Sequence, residues 1–172
     1  MIPAAQERRL MSTESKALLS SLTDQREHVL GIIEGLTDEA LRRPVLPSGW
    51  TCLGLVRHLA IDVERFWFRS IFAGQQVEPR ASDAAVWQVG PDEPADAIVG
   101  LYRREIELAN AIIASADPDA EPARWLSQWG DWRLHNLREI MLHVITETAC
   151  HAGHLDAVRE LIDGRTWMVL TE

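Results

Sequence analysis

One stripe near the C-terminus restricts what this chain can become. Leu137, Met141, Val144, Thr148, His151, Leu155, Val158 and Ile162 recur in steps that alternate four and three residues. That alternation keeps one face of an α-helix against its neighbours. A strand cannot sustain it, because strand side chains repeat every second residue. The chain therefore contains a long helix from about 136 to Gly164, and other helices have to cover its seam. Asn136 with Glu139 three residues later resembles a capping box at its start. The seam is not wholly apolar. His151 sits within it and Glu147 lies one turn earlier, so two groups that are costly to bury bare fall near the core.

The rest of the chain carries matching helical signals. Thr13 is placed to cap a first helix running to about Gly35, and Thr37 opens a short turn of helix that Pro44 and Pro47 end. Thr51 can cap a second long helix, with Leu55, Leu59, Val63, Phe66, Trp67 and Ile71 on its stripe and Gly74 as its stop. Residues 75–92 have no clear period and read as a connection of a length that is seldom idle. Pro94 leads a third long helix, which Asp117 and Pro118 break. The tryptophan-rich stretch 124–136 reads as partly extended. Four long amphipathic helices predict an all-α four-helix bundle, with residues 1–12 as an N-terminal arm, Met11 as a candidate start and 13–172 as a single domain.

Composition removes several functions. A chain of 172 residues with a formal net charge of −9 has no basic face for nucleic acid or an anionic membrane. No apolar run is long enough to span a bilayer or to serve as a signal peptide, so a cytoplasmic protein is expected. Cys52 and Cys150 make no disulfide framework and are expected as free thiols, Cys150 as a small packing residue. No P-loop, GxGxxG, GxSxG, HExxH or Glu-x-x-His pattern occurs.

Glu147 and His151 project from one face of the last helix. His58, on the second long helix, is the third member of a candidate metal site: His58, Glu147 and His151. Two imidazoles and a carboxylate bind a divalent metal and leave a coordination position open. A buried Glu–Arg pair beside a hydrogen-bonded core histidine would satisfy the same residues without metal. His143, one turn before Glu147, could share a metal with it, although His143 and His151 point about 80° apart at 3.6 residues per turn. His154 is a candidate to hydrogen-bond a ligand or substrate, and Asp62 to orient His58 or to pair with Arg65. The tryptophans before the last helix are candidates to wall an apolar pocket. His28 and His135 carry no pattern.

Two segments, SGWTCLGLVRHLAIDVERFW (48–67) and ITETACHAGHLDAVRELIDG (145–164), resemble the DinB/YfiT-like superfamily. They are most similar to its actinobacterial branch akin to mycothiol-dependent maleylpyruvate isomerase. The resemblance implies a four-helix bundle that holds a divalent metal by one histidine of the second helix and two ligands of the last, here His58, Glu147 and His151. Zinc suits that set, and nickel, iron and manganese are alternatives. It further implies a low-molecular-weight thiol, mycothiol, as cosubstrate and a small electrophile as substrate, in S-transfer or isomerisation. Such bundles commonly dimerise, so a second copy of the chain is an expected partner. The alternatives are a metal-dependent hydrolase, with water in place of the thiol, and a non-catalytic metal-binding stress-associated protein. For a substrate carboxylate, Arg57, Arg65, Arg69 and Arg80 are candidates.

Overall fold

The computed structural model describes residues 11–78 and 83–167. The arm expected at the N-terminus lies outside them up to residue 10, as does Arg80. The described chain is all-α: α1 (Thr13–Ile33), α2 (Asp38–Arg42), α3 (Cys52–His58) continuing into a π-helical segment (Leu59–Phe72), α4 (Asp83–Trp87), α5 (Ala95–Ser115), a 3₁₀ turn (Ser127–Trp129) and α6 (Leu137–Asp163). The four long rods are α1, α3 with the π segment, α5 and α6. α1 packs along α6, and α5 packs along the π segment, so the expected four-helix bundle is observed. No described helix is long and apolar enough to cross a membrane.

Local chemistry sets the helix ends. Ser12, not Thr13, caps α1, its Oγ accepting the Ser15 N–H at 3.0 Å. Thr51 caps α3 by accepting the Gly54 N–H at 3.0 Å. Asn136 caps α6, accepting the Glu139 N–H at 3.0 Å. The Glu139 carboxylate takes the His135 N–H at 2.6 Å, one residue before the partner of a reciprocal box. Gly164 closes α6 with φ 77°, a left-handed conformation that glycine reaches without strain.

The α6 seam is buried as its spacing demands: Leu137, Met141, Val144, Thr148, Leu155 and Val158 are all in the core. The second rod departs from expectation. From Leu59 onward its hydrogen bonds run i→i+5, ending with Ala73 N–H to Phe68 O at 3.0 Å. A π segment of 14 residues is long for a form that is mostly confined to single turns and often marks functional sites. The expected positions Leu55, Leu59, Val63, Trp67 and Ile71 are nevertheless buried. So is Glu64, which no apolar stripe predicts.

Buried ion pairs tie the π segment to its neighbours. Arg26 of α1 (2% exposed) grips Glu64 (0% exposed) through two bonds of 2.7 and 2.6 Å and donates to Asn110 of α5 at 2.8 Å. Arg159 of α6 donates to the carbonyls of Ile32 and Glu34, satisfying the C-terminal end of α1.

Candidate metal centre

His58 is the last residue of α3, at the point where the helix changes register. Its Nδ1 lies 2.9 Å from Asp62 Oδ2, so Nε2 is the nitrogen left to ligate. A carboxylate behind an imidazole fixes the tautomer and makes the outer nitrogen a better donor. Of the two roles expected for Asp62, orienting His58 is the observed one. Trp87 stacks on the His58 ring at 4.3 Å and 18°. Residues 75–92, expected as a connection of a length seldom idle, contain α4, whose last residue, Trp87, forms one wall of the site.

Gly54 is what allows α4 so close. A Cβ there would lie 2.4 Å from the Trp87 carbonyl oxygen. Only a residue without a side chain lets the end of α4 rest directly on α3.

From α6 come Glu147 and His151. The His151 ring lies 5.0 Å from that of His58, edge to face at 75°. Each of His58, Glu147 and His151 offers a ligand atom, and these atoms all lie within 4.8 Å of one another. Three donors so spaced could hold one metal ion. Two further observations fit a cation. His151 Nδ1 is buried and has no hydrogen-bond partner, a state that is costly unless something satisfies it. Burial, with help from neighbouring His58, pushes the His151 pKa down to about 4, so its imidazole is neutral, as a ligand has to be. The metal-free alternative needed an arginine on Glu147. Among the described residues the arginine ion pairs run elsewhere, to Glu64, Glu93, Glu105, Glu14 and Asp163 among others.

The site opens onto a cleft of about 590 Å³ lined by His58, Asp62, Glu147 and His143 on one side. Phe66, Trp67 and Trp129 supply apolar wall, and Arg65, Ser70, Glu78 and Arg124 also line it. The wall is one edge of a larger aromatic cluster in which Trp67 contacts Trp125, Trp129 and Trp132 at 6.1, 5.5 and 6.0 Å. Of the three tryptophans before α6, Trp129 lines the cleft, while Trp125 and Trp132 pack against its ring at 4.9 and 5.7 Å.

The remaining histidines separate. His143 packs edge-on against Trp67 at 4.6 Å, and burial lowers its pKa. It borders the cleft but is not one of the three grouped donors. His154 is exposed, with its ring 5.5 Å from His151. His28, which showed no pattern, pairs with Asp156 at 2.8 Å and stacks on Trp167. Cys150 is exposed, contrary to the packing role expected for it, while Cys52 is buried; both are free thiols. Burial pushes the Cys52 pKa up to about 11. Sequence reasoning missed Trp87, Gly54 and Arg124. A glycine in an apolar helix face was the one available signal, and it named no partner.

No curated protein matches the chain. Residues 17–164, which include every grouped donor, match the family model described as MST, mycothiol-S-transferase.

Proposed function

The chain belongs to the mycothiol-S-transferase family, and from that premise we propose a metal-dependent enzyme that joins the thiol of mycothiol to a small electrophilic carbon. The observation that carries the proposal is the convergence of His58, Glu147 and His151 donor atoms within 4.8 Å. Those three residues would hold the ion, and their donor set suits zinc, with nickel, iron or manganese also accommodated. A divalent ion, when bound, supplies Lewis acidity that favours deprotonation of a thiol near neutral pH.

The protein's own contributions follow from the geometry. Asp62 and Trp87 hold the His58 ring from its Nδ1 edge and its face. Burial keeps His151 neutral and available. Phe66, Trp67 and Trp129 offer an apolar surface that excludes water from one wall of the cleft. In the overall change the sulfur forms a bond to carbon, the thiol proton goes to solvent, and a leaving group departs with its electron pair.

The test combines elemental analysis with turnover. Protein purified without chelator or metal-binding tag is assayed with a benzyl halide, with and without mycothiol. Mycothiol-dependent conjugation is expected, and His151→Ala should lose both metal and turnover while keeping its helical circular dichroism. Retained turnover in that variant would refute the assignment of the chemistry to these residues. Consumption of electrophile without mycothiol would favour hydrolysis instead.

A further inference from the structure

The unpartnered nitrogen of His151 has a neighbour in the same condition. Thr148, three residues earlier on α6, is 0% exposed, and its Oγ1 is buried with no hydrogen-bond partner among the described residues. Inside a helix a threonine hydroxyl commonly turns back onto a carbonyl of the preceding turn. Thr23 and Thr146 do so in this chain, donating to the carbonyls of Leu19 and Leu142 at 2.8 and 2.9 Å. Thr148 forgoes that bond. A third buried atom of this kind, the Tyr102 hydroxyl, belongs to α5, where the charges of Glu64 and Arg26 act on it. Two of the three therefore sit within one turn of one helix, at a spacing that brings side chains to about 5–6 Å between Cβ atoms.

The two nitrogens of His151 are not equivalent. Nδ1 alone is buried without a partner, so Nε2 is the one that faces open space. His58 is arranged the same way, with Asp62 behind Nδ1 at 2.9 Å and Nε2 outward. A neutral imidazole carries one N–H, and a ring that gives Nε2 to a cation keeps its proton on Nδ1. That N–H then needs an acceptor. Behind His58 the acceptor is a carboxylate; behind His151 the available oxygen is Thr148 Oγ1. The two atoms make no direct bond. One water spans such a gap, accepting from Nδ1–H and donating to Oγ1, and two polar partners are enough to hold it in a buried place.

We infer that Thr148 is the positioning residue of His151: through one buried water its hydroxyl holds Nδ1–H and turns Nε2 toward His58 and Glu147. Thr148 thus does for His151 what Asp62 does for His58, without a charge and without touching metal or substrate. The inference rests on the metal site proposed above and adds the residue that orients its ligand on α6.

Zinc binding, rather than turnover, tests it. Thr148→Val keeps the side chain's shape and removes the hydroxyl, while Thr148→Ser keeps the hydroxyl. Competition against a chromophoric chelator should show zinc held about tenfold more weakly by Thr148→Val and within about twofold of wild type by Thr148→Ser. The Tm of the metal-free Val variant, which a purely structural role would lower, should stay within about 2 °C of wild type. Long-range proton–nitrogen spectra of the zinc-loaded wild type should place the metal on His151 Nε2 and the proton on Nδ1. Unchanged zinc affinity in Thr148→Val overturns the inference, and so does zinc on Nδ1. An affinity loss shared by the Val and Ser variants overturns it too, because packing and not the hydroxyl would then be responsible. Zinc affinity that depends on the Thr148 hydroxyl in a protein with no mycothiol-dependent turnover keeps the inference and sinks the S-transfer function. Turnover with a Val variant that binds zinc normally does the reverse.

Discussion

Replacing Gly54 by alanine separates helix propensity from site geometry. In an ordinary helix the change stabilises by about 1 kcal/mol. Here the new Cβ would sit 2.4 Å from the Trp87 carbonyl oxygen and 3.2 Å from its carbon. Ordinary contact needs about 3.4 Å, so the end of α4 has to retreat by about 1 Å. The obstructing atom is backbone, and no rotamer change relieves it. Overpacking of that size costs about 1–3 kcal/mol, so net stability should change by about 0–2 kcal/mol downward. The larger effect falls on His58, whose ring stacks on Trp87 at 4.3 Å. Disturbing a group that orients a ligand lowers metal affinity by about 10–100-fold. Competition against a chromophoric chelator measures the affinity, and calorimetry of the metal-free protein measures the stability. Gly100→Ala is the control: nothing lies within 4 Å of its added Cβ, so it should stabilise and leave the metal alone. A Gly54→Ala protein with raised Tm and unchanged affinity would mean that α4 does not rest on α3, and the account of Trp87 would fall with it.

Asp62→Ala removes the carboxylate behind His58, and metal affinity should drop about 10–100-fold by the same competition assay with little change in Tm. Glu64→Ala leaves Arg26 buried and unpaired, which should destabilise by about 3–5 kcal/mol in urea unfolding. Iodoacetamide at pH 8 should label Cys150 and spare Cys52 until the protein is unfolded, as peptide mass spectrometry would show. Cys52 also gives stability a sign with pH. Its thiol stays protonated in the fold up to about pH 11 but ionises from about pH 9 when unfolded. The unfolded state then holds fewer protons, and stability should fall by about 1.4 kcal/mol per pH unit across that window. Denaturant titrations should show this slope diminished in Cys52→Val.

The α6 helix was legible because its seam, its Asn136 cap and its Gly164 stop agree, and each depends on residues close in sequence. The same holds for Thr51, whose hydroxyl reaches only to Gly54. His58, Glu147 and His151 could be nominated because two of them sit one turn apart and all three lie near apolar stripes. Trp87 could not. Its place on His58 depends on α4 folding back across Gly54, a contact between segments that share no periodicity. The π register was equally hidden. Positions four apart, such as Leu59, Val63, Trp67 and Ile71, stay near one face whether bonds run i→i+4 or i→i+5, so the stripe alone does not discriminate. Glu64 was hidden too, because what makes its burial tolerable is Arg26 on α1, a partner distant in sequence.

That buried charge bears on why the site holds its shape. A buried ion pair adds little net stability compared with well-packed apolar side chains, because desolvation offsets most of the attraction. Its geometry, however, is demanding. Arg26 reaches Glu64 with two bonds and Asn110 with a third, so α1, the π segment and α5 are fixed in mutual rotation. Glu105 repeats the arrangement one step along, holding Arg65 and Arg69 against α5. Both networks act on the segment that begins immediately after His58 and contains Asp62. A slip of that segment by one residue would bury Arg65 or expose Glu64, and either leaves a charge unpaired. The ion pairs therefore penalise every register but one. In that register the His58 ring faces α6, where Glu147 and His151 complete the donor set, and Arg65 borders the same cleft.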